Sequence, residues 1–253
     1  MATLKIKEES KDYYLKFNIP LQIITLIGLV FLDYSWSLIL AWSLFFHLII
    51  YWLGIQCGSH KLFSHRSWEP KFNWIKYGIA YISCFGMMGG PIVWTAMHRW
   101  HHKHSDTDSD PHSPKDGLLH SYFMWFLNVP NIPLRLIKDH LSDQMLVDID
   151  INAKKIVLYT LVVLCFVNYQ IALALLLAMT FTFHIEMAIN CFAHRKINNE
   201  WVPINYVWLG FLTGGSSLHA NHHAHQGNSS FSTKWYEFDP TSWIIKILEK
   251  NKK

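Results

Sequence analysis

The run 156-IVLYTLVVLCFVNYQIALALLLAMTFTFHIEMAINCFAH-194 decides the fold. It is 39 residues long without Lys or Arg, and its one acidic residue is Glu186. A membrane helix needs about 20 mostly apolar residues. The run therefore holds two spans turned back at Asn168-Tyr169-Gln170, or one long tilted span. In the two-span reading the leading arm is short, and Lys154 and Lys155 snorkel to the interface. Phe17 to His60 has the same character: 44 residues, no Lys or Arg, and a single acid in Asp33-Tyr34-Ser35, where a turn is expected. The expectation is an all-α integral-membrane protein with four transmembrane helices in two hairpins, at about 18–33, 36–57, 152–168 and 171–191. A helical cap is expected from 58–151 and 192–253, the whole chain forming one domain, 1–253.

Composition agrees. The chain has 253 residues, 51% hydrophobic and 16% charged, against about 25% charged in an average soluble domain. Such a chain can bury ample apolar surface, which excludes disorder. Twelve Gly, nine Pro and four Cys exclude collagen-like and disulfide-scaffold classes. Cys57, Cys84, Cys165 and Cys191 lie in or beside apolar segments without paired spacing, and are expected as small buried residues rather than disulfides. Both hairpin tips lack Lys and Arg. Lys5, Lys7, Lys11, Lys16, Lys61, Arg66, Lys154, Lys155, Arg195 and Lys196 flank the other ends. The positive-inside bias then places both termini and the cap on the cytoplasmic side of a multi-pass protein. The N-terminal segment mixes Glu8, Glu9 and Asp12 with its lysines, unlike a cleavable signal peptide.

The sixteen histidines are clustered. His60 and His65 stand in HKLFSH, His98, His101 and His102 in HRWHH, and His219, His222 and His223 in HANHH. Spacing i, i+3, i+4 puts three imidazoles on about 100° of one helix face. That makes a poor packing surface and a good metal surface. Imidazole suits zinc, copper, iron or nickel. Eight exceed the four ligands of one structural zinc site, so two metals with open positions fit the count. The Glu-x-x-His pairs of soluble di-iron bundles are absent.

At GSHKLFSHRSW, HRWHHKHSDTDSDPHSP and HANHHAHQG the chain resembles the integral-membrane fatty acyl desaturases. The resemblance runs from about Ile55 to Trp243 and includes NCFAH, where Asn190 and His194 match the family's Asn-x-x-x-His element. It implies four spans under a cytoplasmic cap and two iron ions. The metal set it implies is His60, His65, His98, His101, His102, His194, His219, His222 and His223, with Asn190 acting through a water. It also implies molecular oxygen as co-substrate, an external electron donor of ferredoxin or cytochrome b type, and a long-chain fatty acyl substrate as a coenzyme A thioester or membrane lipid. The implied product carries a cis double bond near carbon nine. Membrane lipids are the surroundings, and nucleic acid is not a partner. Because boxes one and two must reach the same metals, the apolar run Tyr77 to His98 should lie at the interface or under the cap rather than cross.

The chain departs from the family in its third box, where Ser216 stands for an acid and Ala220 for an asparagine. Asp106 and Asp110 could orient ligands or only solvate their loop. His184 and Glu186, ionisable inside an apolar run, are expected to face a bundle interior or a polar cavity, or else to act near the site or a substrate tunnel. Arg66, Lys71, Arg99 and Lys103 are expected as solvated basic faces, with a carrier headgroup as the alternative. A histidine-rich membrane hydroxylase and a membrane metal transporter are the rival readings. Transport ligands should sit near the bilayer midplane, whereas these boxes flank the spans.

Overall fold

The computed structural model describes residues 6–250; Lys5 lies outside them. Its longer helices are α1 (Ile6–Phe31), α2 (Trp36–Ser64), α3 (Asn73–Gly86), α4 (Pro91–His104), α5 (Gln144–Ile151), α6 (Ala153–Phe192), α7 (His219–Ala224) and α8 (Pro240–Leu248). Three of them, α1, α2 and α6, are long and apolar enough to cross a membrane. The consecutive pair α3 and α4 passes the same test only if joined, and is bent by 76°. Gly89, at φ 91°, and Gly90 stand in that bend, with Pro91 opening α4.

Helix α6 is interrupted where the sequence predicts a turn. Asn168 is extended (φ −165°, ψ 111°), and its Oδ1 accepts the Gln170 N–H at 2.9 Å. One residue thus ends the first half and caps the second. Tyr169 donates its hydroxyl to the Asp33 carbonyl at 2.5 Å, and the Ser35 N–H donates to Gln170 Oε1 at 3.1 Å. The break in α6 therefore lies against the turn between α1 and α2. At the opposite end Lys154 Nζ sits 5.6 Å from the Tyr13 ring centroid. The first half of α6 exposes Leu158, Val162, Val163, Phe166 and Val167, a broad apolar face. All four cysteines are free, and all but Cys165 are buried.

The second half of α6 packs on α2 through a polar seam. Ser43 Oγ donates to the Ala174 carbonyl, His47 Nδ1 meets Thr182 Oγ1 at 2.9 Å, and Tyr51 donates to Glu186 at 2.6 Å. Residues four apart share a helix face, so the seam keeps Asn190, four beyond Glu186, in a fixed rotation. Gly54 lets α2 approach α3, because a Cβ there would stand 2.9 Å from the Ile82–Ser83 backbone.

Three expectations need correction. α1 begins at Ile6, twelve residues before the expected span. α2 runs on to Ser64, past the expected end at 57, so His60 rides on the helix itself. The fold is also not wholly helical: β1 (His194–Ile197) pairs antiparallel with β2 (Glu200–Pro203), His194 opposite Pro203. Asn198 and Asn199, at φ 50° and 67°, form the two-residue turn, a conformation that asparagine tolerates and that matches hairpin twist.

Candidate metal centre

Box one depends on how α2 is wound. Residues Ile49–Ser64 form wide i→i+5 turns, and the His65 N–H closes onto the His60 carbonyl at 3.1 Å. Five residues apart on an α-helix are about 140° apart; wider winding brings such residues to nearly one face. The two rings consequently stand 5.1 Å apart.

Boxes two and three divide their histidines in the same way. His98 and His102 of α4 join His60, His65 and His222 in one group of five. His219 and His223 of α7 join His101 and His194 in a group of four. Each box thus gives its i, i+4 pair to one group and its i+3 residue to the other. Within each group the ring nitrogens all lie within 4.8 Å of one another. The groups adjoin, with the His102 and His223 rings 4.6 Å apart. All nine box and element histidines named from the sequence are brought together. Asn190 lies beside them, lining a cavity with His98 and His112.

The elements that carry the rings are fixed from behind. Asn205, just after β2, accepts the backbone N–H groups of Ala220 and Asn221 and so caps the short α7. Lys61, fully buried, donates to both oxygens of Asp239 and to Thr241, tying box one to the start of α8. Asp239 also accepts the Phe231 N–H, and the Phe231 ring lies 4.5 Å from His222.

Proton positions show what the rings can hold. His101 Nδ1 donates to Asp110 at 2.9 Å and His194 Nδ1 to Asp106 at 2.7 Å, since carboxylates only accept. A neutral ring that donates through Nδ1 bears a lone pair at Nε2. His101 Nε2 is buried without a partner, and His194 Nε2 faces His219 Nε2 at 2.9 Å. In the other group Gln56 Oε1 meets His60 Nδ1 at 2.8 Å, and His60 Nε2 faces His222 Nε2 at 3.0 Å. Imidazole nitrogens that converge this closely, some of them buried without a partner, make a donor set that fits a nitrogen-bound metal in each group.

Electrostatics keep the rings available. Burial, reinforced by neighbouring imidazoles, holds His98, His102, His219 and His222 well below the usual histidine range. Burial and Arg99 bring His65 to about 3. Burial opposes charge on Asp110, but the hydrogen bond from His101 and the nearby His112 and His101 rings outweigh it and lower its carboxyl pKa. Asp106 is lowered likewise, its burial offset by the His194 hydrogen bond.

Asp106 and Asp110 therefore orient rings rather than solvate a loop. Gln56 was not legible as a partner, although it stands one helical turn before His60. His112 is buried and stacked on His101 at 4.4 Å. His184 bonds Tyr122 Oη and Gln22 Oε1, and Glu186 bonds Tyr51. Of the headgroup candidates, Arg99 is committed to Asp139 and to the carbonyls of Phe63, Ser64 and Leu136. Lys71 donates to the Ile247 carbonyl.

The cavity beside His98 measures about 20 Å³, room for about one water. Its other walls are Met88, Met97, Met187, Trp94, Trp125 and Glu186.

Among known proteins, the family described as fatty acid desaturase matches residues 34–247. The chain is 29% identical to an sn-1 stearoyl-lipid 9-desaturase of Anabaena variabilis, covering 92% of this chain and 88% of that protein. It is 30% identical to an sn-2 palmitoyl-lipid 9-desaturase of Nostoc sp. (85% and 80%). It is 28% identical to an acyl-CoA C20 Delta5-desaturase of Anemone leveillei (78% and 66%).

Proposed function

Because the chain belongs to the fatty acid desaturase family and is an oxidoreductase acting on fatty acyl chains, we propose that it inserts a cis double bond near carbon nine of a saturated 16- or 18-carbon acyl chain. Oxygen is the oxidant, and an external one-electron donor of ferredoxin or cytochrome b type is the reductant. The observation that carries the reading is the pair of histidine groups beside a cavity walled by methionine and tryptophan. Membrane-lipid relatives favour an acyl-lipid substrate over a coenzyme A thioester.

The five-histidine group, His60, His65, His98, His102 and His222, would hold one iron. The four-histidine group, His101, His194, His219 and His223, would hold the other, with Asn190 attached through a water. When bound, iron supplies the oxygen chemistry that an unactivated methylene requires and that side chains alone cannot perform. The protein's own work is orientation and exclusion of water. Asp106, Asp110 and Gln56 fix ring tautomers. Met88, Met97 and Met187, being flexible, repack to admit the chain, and Trp94, stacked on His98 at 4.6 Å, limits where the reacting carbons lie.

Four spans are the topology this reading takes, with α6 crossing twice about Asn168. Its support is the contact of that break with the α1–α2 turn, while Lys154 at one end of α6 lies by Tyr13 near the start of α1 and the Asn190 carbonyl at the other accepts from Ser121. The distribution of Lys and Arg favours a cytoplasmic cap and cytoplasmic termini. Labelling of engineered cysteines near His65 and His98 from opposite membrane faces would contradict it.

Expression in a desaturase-deficient host, with fatty acids analysed by mass spectrometry, tests the function. The expected product is a 9-alkene. A hydroxylated chain would replace desaturation by hydroxylation, and unchanged fatty acids would contradict both.

A further inference from the structure

Helix α8 presents an unusual outer face. Trp243, Lys246 and Ile247 are exposed at i, i+3 and i+4, with Ile245 buried beneath them. Residues 69–71 pair with 248–250 through the Pro70–Glu249 bridge and the Lys71 N–H to Leu248 carbonyl bond. That pairing brings Phe72 and Trp74, stacked on each other, alongside α8. Phe72, Trp74, Trp243 and Ile247 are 58%, 71%, 56% and 70% exposed. A contiguous apolar patch of this kind marks an interaction surface.

Two contacts join the patch to the apolar helices. Trp52 of α2, Phe211, Phe238 and Trp243 form a chain of ring contacts at 5.4, 6.5 and 5.3 Å. On the other side Tyr81, exposed at the far end of α3, meets Thr160 of α6 at 3.3 Å. Trp52 lies sixteen residues past Trp36, a rise of roughly 24 Å, within a hydrocarbon core about 30 Å thick. The ring chain therefore leaves α2 near the edge of the core, where aromatic side chains concentrate. Lys71, Lys246 and Lys250 share this edge with the acids Glu69 and Glu249, Glu69 being paired with Lys250.

We propose that α8 and the segment Phe72–Trp74 lie in the headgroup layer of the bilayer, Trp243, Ile247, Phe72 and Trp74 inserted and Lys246 set against anionic lipid headgroups. The inference rests on the membrane-spanning reading of α2 and α6. This face holds the cap at a fixed height over the membrane and docks it on anionic lipid.

The test uses the full chain in nanodiscs, with Cys165→Ala removing the one exposed native thiol. Nitroxide labels are placed singly at Ile247→Cys, at Val163→Cys on the lipid face of α6, and at Asp108→Cys, whose native side chain is 93% exposed. The expected Ile247 label is shielded from a water-soluble nickel chelate and sits roughly 5–10 Å into the headgroup–acyl boundary. Val163 should be deeper and Asp108 aqueous. Exchanging anionic for zwitterionic lipid should move the Ile247 label toward water, and Lys246→Glu should do so only in anionic discs. A label at Ile247 as accessible to nickel as that at Asp108, with Val163 still in lipid, overturns the proposal and leaves a protein-docking face instead. A depth that ignores lipid charge overturns the anionic preference. An aqueous Val163 overturns the spanning reading and this inference with it.

Discussion

The two histidine groups use the same ring chemistry but are supported differently. In the group of four, His101 and His194 are each backed by an aspartate held in place by its own loop: the Asp106 N–H donates to Asp110, and Ser113 donates to Asp106. In the group of five, His60 is backed by the neutral amide of Gln56; the Nδ1 atoms of His102 and His222 are buried without a partner, as is that of His219 in the group of four. A carboxylate behind an imidazole raises its basicity and fixes its tautomer; an amide does only the second. The groups should therefore differ in how tightly they hold metal, with the carboxylate-backed one the stronger.

The largest expected effect comes from removing a ring at the stronger group. His194→Ala should lose metal and activity together, read by iron content and alkene product. Asn190→Ala should keep most of its iron and lose most activity, because a water-mediated amide contributes less to retention than a direct imidazole. Full activity in that variant would reduce Asn190 to a helix-end hydrogen-bonding residue.

Next come the supports. Asp110→Asn should cost about 10–100-fold in metal affinity, measured by chelator competition. Gln56→Met, which removes the amide behind His60, should cost less than that. Equal losses would erase the distinction between the groups.

Acidification sharpens the comparison from the protein side. His65 and His112 are each at about 3 in the folded chain, lowered first by burial, against about 6.5 when unfolded. Between those values the unfolded chain binds more protons, so stability rises with pH. Their contribution is complete above about 6.5 and is lost as pH falls toward 3, by about 1.4 kcal/mol per pH unit for each such group. The unfolding midpoint of the metal-free protein in detergent should fall between pH 7 and 5. The smallest effect is a shallower slope in His112→Asn.

Much of the architecture was legible in the chain. Runs without Lys or Arg located most of α1, α2 and α6, and Asn168 marked its own break because a short polar side chain can cap the next helical turn. The box histidines were legible because their spacing is local and helical. The features that escaped were non-local or conformational. Box one reads as i, i+5, a spacing that converges only with the wide turns of Ile49–Ser64. The hairpin carrying His194 rests on positive φ at Asn198 and Asn199, which no hydrophobic period announces. Nothing nearby in sequence says that His112 stacks on His101. The burial of Lys61 depends on Asp239, 178 residues away.

Counting the metal tests the central claim most directly. Protein made under iron-replete, zinc-poor conditions and purified whole should contain two irons per chain, one for each histidine group. Less than one iron per chain would contradict the account, because the converging imidazoles would then have been assembled for something else.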